Sequence, residues 1–309
     1  YEMSASLVGS EMCIRDSKNP WEKISDSPML AQAEQLLQAN DIEESAQNLE
    51  AADYILQGMS VGPEAEAVNH QASMNFYTFA SQVWKQIGWQ DHTKEDAVDA
   101  ETDAMAKSLT GEEIALPFES EMLLKQIEAD ADLAQMYADI RQQMVEQMYD
   151  QAEEGNITSD QLQGMKVVQA GFRILGAMAG RRQYQLPVET ESGMKVVNLT
   201  MQTGGVEARG ITIRMAAGVH GMLQAQIRMD EAGTCTGEIL GGSSEANTWL
   251  AGQTDAFREL LAGSEYADAA VALGESRTAA RGTNGGADTQ KLCRAAIFFV
   301  KAMAKLTDI

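Results

Sequence analysis

The hydrophobic period of this chain changes once, at Gly180-Arg181-Arg182, and that change limits what it can fold into. Before the junction apolar residues recur every three to four positions, the repeat of a helix face; after it they alternate, the repeat of a half-buried strand. Tyr184, Leu186 and Val188 alternate, as do Val197, Leu199 and Met201; Ile211, Ile213 and Met215; and Leu223, Ala225, Ile227 and Met229. Gly204-Gly205, Ala217-Gly218 and Ala232-Gly233 fall between these runs, where hairpins need residues tolerant of positive φ. Cys235, Gly237 and Ile239 suggest one more strand. Gly241-Gly242-Ser243-Ser244 then leads into a helix that places Trp249 or Leu250, Phe257, Leu260 and Leu261 on one face. Val271 and Leu273 read as a short return strand, and Gly282 to Gly286 as a link to a last amphipathic helix from Asp288. Order and periods together predict an α+β fold: a mostly helical region, a small antiparallel β-meander with one packed helix, and a C-terminal amphipathic helix.

In the first half, Ser27-Pro28 offers a cap and a first-turn proline for a helix through Met29, Ala33, Leu36 and Leu37. Asp41 with Glu44 reads as the start of a second helix that Gly58 ends, and a third is expected from about Glu64 to Ile87. Pro117 opens a long helix that ends near Gly155-Asn156. Thr158 and Gln161 form a capping box for the next, with Leu162, Met165, Val168, Phe172, Ile174 and Leu175 apolar.

Charge divides the chain at the same junction. Residues 1–180 carry 32 acids against 10 bases, a balance of −22, while 181–309 carry 14 against 13, a balance of −1. A formal charge of −23 repels phosphate backbones and anionic headgroups, so nucleic acid is not an expected partner. No apolar run approaches the roughly 20 residues of a membrane-spanning helix, so no membrane insertion is expected. The string Tyr1 to Ser17 lacks either period and reads as a translated sequencing adapter, so the native sequence is expected to begin near Lys18 and its own N-terminus to be missing. The layout is therefore 1–17 outside the fold, 18–180 acidic and helical with a linker at 88–116, 181–276 α+β, 277–287 a glycine-rich linker and 288–309 a helix. With Cys13 set aside, Cys235 and Cys293 make neither a disulfide framework nor a metal motif, and free thiols in a reducing, cytoplasmic compartment are expected.

Chemistry-bearing residues are sparse. His70, His92 and His220 share no metal-ligand spacing, and no Asp-x-Asp-x-Asp-Gly loop accompanies the acids. The Gly241 to Ser244 turn could cradle an anion on backbone amides, but it lacks the lysine of a phosphate loop, and a serine cap explains it. Ser243 and Ser244 have neither a nucleophile elbow nor an assignable base. No catalytic residue, metal or cofactor is assigned. Leu292, Phe299 and Met303 are the candidate partner-binding residues: behind the glycine link, their helix can lie back on the sheet or dock in another protein's groove.

Four stretches carry a resemblance: Val206 to Met215, Met222 to Met229, the helix from Trp249 to Ala262 and the strand from Ala269 to Gly274. They resemble the C-terminal domain of flagellar hook-length control proteins, in which a leucine-rich turn ending in glycine introduces a strand, a second strand pairs with it and a helix crosses the sheet. Tyr184 to Glu189 and Gln290 to Val300 are similar to a related family of uncharacterised bacterial proteins. The resemblance covers the C-terminal 120 residues or so. Its Leu-x-Pro-x-x-Leu-Gly lead-in is here Gly205-Val-Glu-Ala-Arg-Gly210, and the proline-rich ruler segment of the family has no counterpart among five prolines. The resemblance implies a non-enzymatic regulator of hook length or export-substrate switching. Such a protein touches the cytoplasmic part of the flagellar export gate and can itself be exported through the type III apparatus. The alternative is a cytoplasmic scaffold or adaptor unrelated to flagella, and the third reading an enzyme of unseen motif.

Overall fold

A computed structural model of the chain describes residues 27, 29–59, 74–87, 133–153, 155, 157–190, 193–203, 208–229, 234–275 and 289–307. The chain is an α+β protein. Helices α1 (Leu30–Ala39), α2 (Ala46–Met59), α3 (Phe76–Ile87), α4 (Leu133–Glu153) and α5 (Ser159–Gly180) precede strands β1 (Gln183–Thr190), β2 (Gly193–Thr203), β3 (Ala208–Ala216), β4 (Met222–Met229) and β5 (Cys235–Gly241). Helices α6 (Ser244–Gly252) and α7 (Thr254–Ala262), strand β6 (Ala270–Leu273) and helix α8 (Thr289–Thr307) complete it. The expected linkers at 88–116 and 277–287, the helical stretches 64–73 and 117–132, and residues 1–17 lie outside the described residues.

Helix α5 organises the helical layer. Val167, Val168, Ala170, Gly171, Phe172, Ile174 and Leu175 are all buried, so most of the helix circumference is enclosed and only a narrow line through Lys166 and Arg173 stays exposed. Helix α4 packs along it most extensively, and α2 and α3 pack against its other faces. Small residues make that enclosure possible. A Cβ on Gly164 would come 3.0 Å from Val83, and one on Gly171 would overlap the Cε2 edge of the Phe76 ring. Aromatic side chains fill the remaining space, with Phe172 edge-on to Phe76 and stacked near Trp84 and Tyr137.

The helix starts are set by side chains that only partly match the sequence expectation. The capping box holds: Thr158 accepts from the Gln161 amide at 3.2 Å, and Gln161 Oε1 accepts from the Thr158 amide at 2.8 Å. Gln161 also donates to the Gln86 carbonyl, tying α5 to the end of α3. Ser27 does not cap α1, whose N-cap is Met29 without a side-chain bond. Its hydroxyl instead accepts from the Met29 amide and donates to Asp53 at 2.6 Å, a tie to α2 that local spacing could not reveal. Asp41 does not open α2 either. It adopts a positive φ of 54° and meets Arg181 at 3.2 Å, while Ser45 accepts from the Asn48 amide and serves as the cap.

The six strands form one sheet in the order β1-β2-β3-β4-β5-β6. The first five are an antiparallel meander whose aliphatic residues stand opposite one another: Leu186 on Val197, Leu199 on Ile213, Ile213 on Ala225 and Ala225 on Ile239. Two features depart from the expected meander. Strand β6 runs parallel to β5, because α6 and α7 carry the chain back across the sheet before it re-enters. The one expected helix is two, interrupted at Gln253, which is both the C-cap of α6 and the N-cap of α7. Leu250 faces the core, whereas Trp249 is half-buried.

Helix α8 covers the aliphatic face of β3 and β4 and contacts α7, where Phe257 and Phe299 stack with centroids 6.0 Å apart. At β3 and β4 the opposite face is open, with Arg214 and Arg228 exposed. At β1 and β2 that opposite face is covered instead by α2. Strand β1 is therefore buried on both sides, Leu186 facing one way and Gln185 and Pro187 the other. A single cluster of buried apolar side chains runs from Ala33 to Leu306, so the core is continuous across the junction at which the period changes.

Candidate functional site

Of the residues singled out from the sequence, Leu292, Phe299 and Met303 are brought together on one face of α8, and each is fully buried. The helix lies back on the sheet. In this arrangement the three are core residues, and any docking through them requires α8 to leave the sheet. His70 and His92 lie outside the described residues, and His220 stacks on Trp249 with centroids 4.0 Å apart at 12°. The turn before α6 is occupied by the protein itself. Ser243 caps Ala246 at 3.1 Å, and Asn247 accepts from the Gly241 amide at 2.8 Å while donating to the Gly241 and Ser243 carbonyls. Those groups are thus engaged within the turn rather than turned toward an anion. Cys235 and Cys293 are buried and form no disulfide. Among the described residues, no three His, Cys, Asp or Glu side chains are grouped so as to hold a metal ion. No helix among them is long and apolar enough to cross a membrane.

A buried polar seam joins the helical layer to β1 and β2. Tyr77 on α3 donates its hydroxyl to the Gln185 carbonyl. Gln185 Nε2 donates to the Ile55 carbonyl at 3.0 Å and to Asn198 Oδ1 at 3.2 Å, and Asn198 reaches the Gly58 carbonyl. Gln185 and Asn198 are direct partners in the β1–β2 ladder, so their side chains share the face that α2 covers. Gly58 allows the approach, since a Cβ there would come 3.2 Å from Val196 and 3.3 Å from Gln185. Tyr137 hydrogen-bonds to Tyr77, and because the Tyr77 proton goes to the Gln185 carbonyl, Tyr137 is the donor of the pair. Burial pushes both phenols up, Tyr137 to about 12 and Tyr77 well above its ordinary value. These bonds clamp α2 and α3 onto β1 and β2.

An open groove of about 600 Å³ runs between α8 and the turn that follows α7. Its floor is Tyr266, Ile297 and Phe298; Arg294 and Lys301 stand on the α8 rim and Glu265 on the other. The turn is held firmly, with the Ser264 hydroxyl donating to the Leu261 carbonyl at 2.8 Å and accepting from the Tyr266 amide at 3.1 Å. Tyr266 packs against Phe298 with centroids 5.1 Å apart, and burial and the neighbouring Glu265 push its phenol up. Sequence reasoning missed this groove because it attended to the buried stripe of α8. The signal was the outward one: Lys291, Arg294, Phe298, Lys301 and Lys305 recur at three to four residues along the opposite face.

No family model, no curated protein and no solved structure matches the chain.

Proposed function

We propose that the chain is a non-enzymatic regulator of flagellar hook length or export-substrate switching. It acts through protein–protein contacts with the type III export apparatus, the cytoplasmic part of the export gate being the expected partner. The observation that supports this reading is the way the resembling stretches come together. Ile211 to Ala216 pair with Met222 to Ile227 as an in-register hairpin, two helices then cross from β5, and a strand returns to the sheet. That order is similar to the strand, paired strand and crossing helix expected of the family's C-terminal domain, with two helices here in place of one.

One observation favours the second reading, a scaffold or adaptor unrelated to flagella: the helical layer docks on β1 and β2 through the Tyr77 and Gln185 seam and shares their core. A length-measuring segment extends, whereas these helices are folded against the sheet. Hook length measured by electron microscopy in the native host, with the gene deleted, separates the two. Abnormally long hooks without filaments are expected for the first; hooks of normal length bearing filaments overturn it.

A further inference from the structure

Among the described helices, α8 carries the most cations, in an otherwise acidic chain. Between Thr289 and Thr307 it has four cations, Lys291, Arg294, Lys301 and Lys305, and no acid, in a protein whose formal charge is −23. All four are exposed, while Leu292, Phe299 and Met303 hold the opposite face of the helix in the core. From Lys291 to Lys305 the stripe rises through fourteen residue steps, about 21 Å at 1.5 Å per residue. At its middle the cations give way to the half-buried Ile297 and Phe298, which with Tyr266 floor the groove. Arg294 and Lys301 are seven residues apart, about two turns or 10.5 Å along the axis, and they bracket that apolar floor.

Two cations on the α8 rim, one at each end of an apolar floor, ask for a carboxylate, an apolar side chain and a second carboxylate in the same order. An α-helix with acids seven positions apart and an aliphatic residue three or four positions after the first presents that order on one face. We infer that the groove between α8 and Tyr266 docks an acidic amphipathic helix of a partner protein. The partner's apolar residue seats on Phe298 and Tyr266, and its carboxylates meet Arg294 and Lys301. Placing the cations over an apolar seat concentrates the attraction where water is displaced, so charge sets the register while buried surface supplies affinity. Glu265 on the far rim repels an acid placed there, which orients the partner so that its charged side lies along α8. The inference goes beyond the flagellar reading and holds equally for an adaptor.

The test uses the full chain and a fluorescein-labelled helical peptide with Glu at two positions seven apart and Leu three and four residues after the first. A scrambled peptide of the same composition is the control. Fluorescence anisotropy should show binding of the patterned peptide that weakens with added salt, and the scrambled peptide should bind at least tenfold more weakly. Arg294→Glu combined with Lys301→Glu should reduce affinity at least tenfold, and so should Phe298→Ser. Arg228→Glu, on the open face of the sheet, should leave affinity unchanged. Circular dichroism melts identify a variant that loses binding by unfolding, and the exposed Arg294 and Lys301 should not melt early. The inference is overturned if the patterned peptide fails to bind, or if the charge-reversed protein binds as well as the original. It is equally overturned if the scrambled peptide or anionic phospholipid vesicles bind as tightly as the patterned peptide. Hook length is independent of this assay, so the two proposals fail separately.

Discussion

Replacing Gly171 by alanine puts the enclosure of α5 to a test in which two effects of known size oppose each other. In an open helix interior the exchange is favourable by about 1 kcal/mol, because alanine has less backbone freedom to lose. At Gly171 the added methyl would overlap the Cε2 edge of Phe76, whose ring is fully buried and edge-on to Tyr77 and Phe172 at 5.6 and 5.3 Å. A ring held by two others cannot swing aside without moving them. Overpacking of this kind costs about 1–3 kcal/mol, and an overlap this deep belongs to the upper part of that range. The net expectation is a loss of about 2 kcal/mol after the propensity gain is deducted. For a chain of this size each kcal/mol displaces the midpoint by about 2–4 °C, so Tm should fall by about 4–8 °C. Gly176 supplies the internal control, because a Cβ there would lie 3.6 Å from Tyr137 Cβ, an ordinary contact. Gly176→Ala should raise Tm by about 2–4 °C, the opposite sign from the same exchange in the same helix. Ellipticity at 222 nm during thermal unfolding reads both. In the Gly171→Ala background, Phe76→Leu should cost less than it does alone, since the smaller side chain relieves the overlap. If both glycine variants are stabilised equally, α5 is not enclosed as described, and the account of the helical layer is wrong.

Two further outcomes are expected. Tyr77→Phe removes the donor from the buried Gln185 carbonyl and the acceptor from Tyr137; it should cost about 1–3 kcal/mol, read as a lower urea midpoint with an unchanged slope. Tyr137 has its phenol raised from 10.0 to about 12 by burial, so the folded chain holds that proton more tightly than the unfolded one. Its contribution to stability is complete below pH 10 and is lost as pH rises toward 12; absorbance at 295 nm should show late tyrosinate formation coinciding with unfolding, and early, reversible ionisation of Tyr137 would contradict the burial.

The strands were legible in the sequence where burial is one-sided. In β3 and β4, Ile211, Ile213, Leu223 and Ala225 face the core while Arg214 and Arg228 face out, so alternation carries the whole signal. Strand β1 shows where that reasoning stops. Tyr184, Leu186 and Val188 alternate as expected, but Gln185 is equally buried because its partners, Ile55 and Tyr77, lie 130 and 108 residues earlier. Nothing in the local pattern of a glutamine states that a helix will cover it. The parallel course of β6 is hidden for a related reason: a four-residue strand has the same period in either direction, and only the crossover of α6 and α7 decides. On α8 the buried stripe identified the helix correctly, yet the groove lies on the other face, where a row of lysines resembles any solvated surface until Tyr266 is seen beside it.

The residue at the middle of β1 bears on how copies of the protein behave toward one another. Among the described strands, β1 and β6 are the two margins of the sheet, and a margin invites a neighbouring chain to add its own strand. Pro187 has no amide hydrogen, and proline is tolerated in a sheet where the missing donor falls away from the ladder, so a strand arriving alongside β1 meets a gap midway. The opposite margin offers only Ala270 to Leu273, too short a rail for a lasting pairing. Concentrated solutions should therefore resist edge-to-edge polymerisation without help from the overall negative charge, and replacing Pro187 by valine would remove the main obstacle to it.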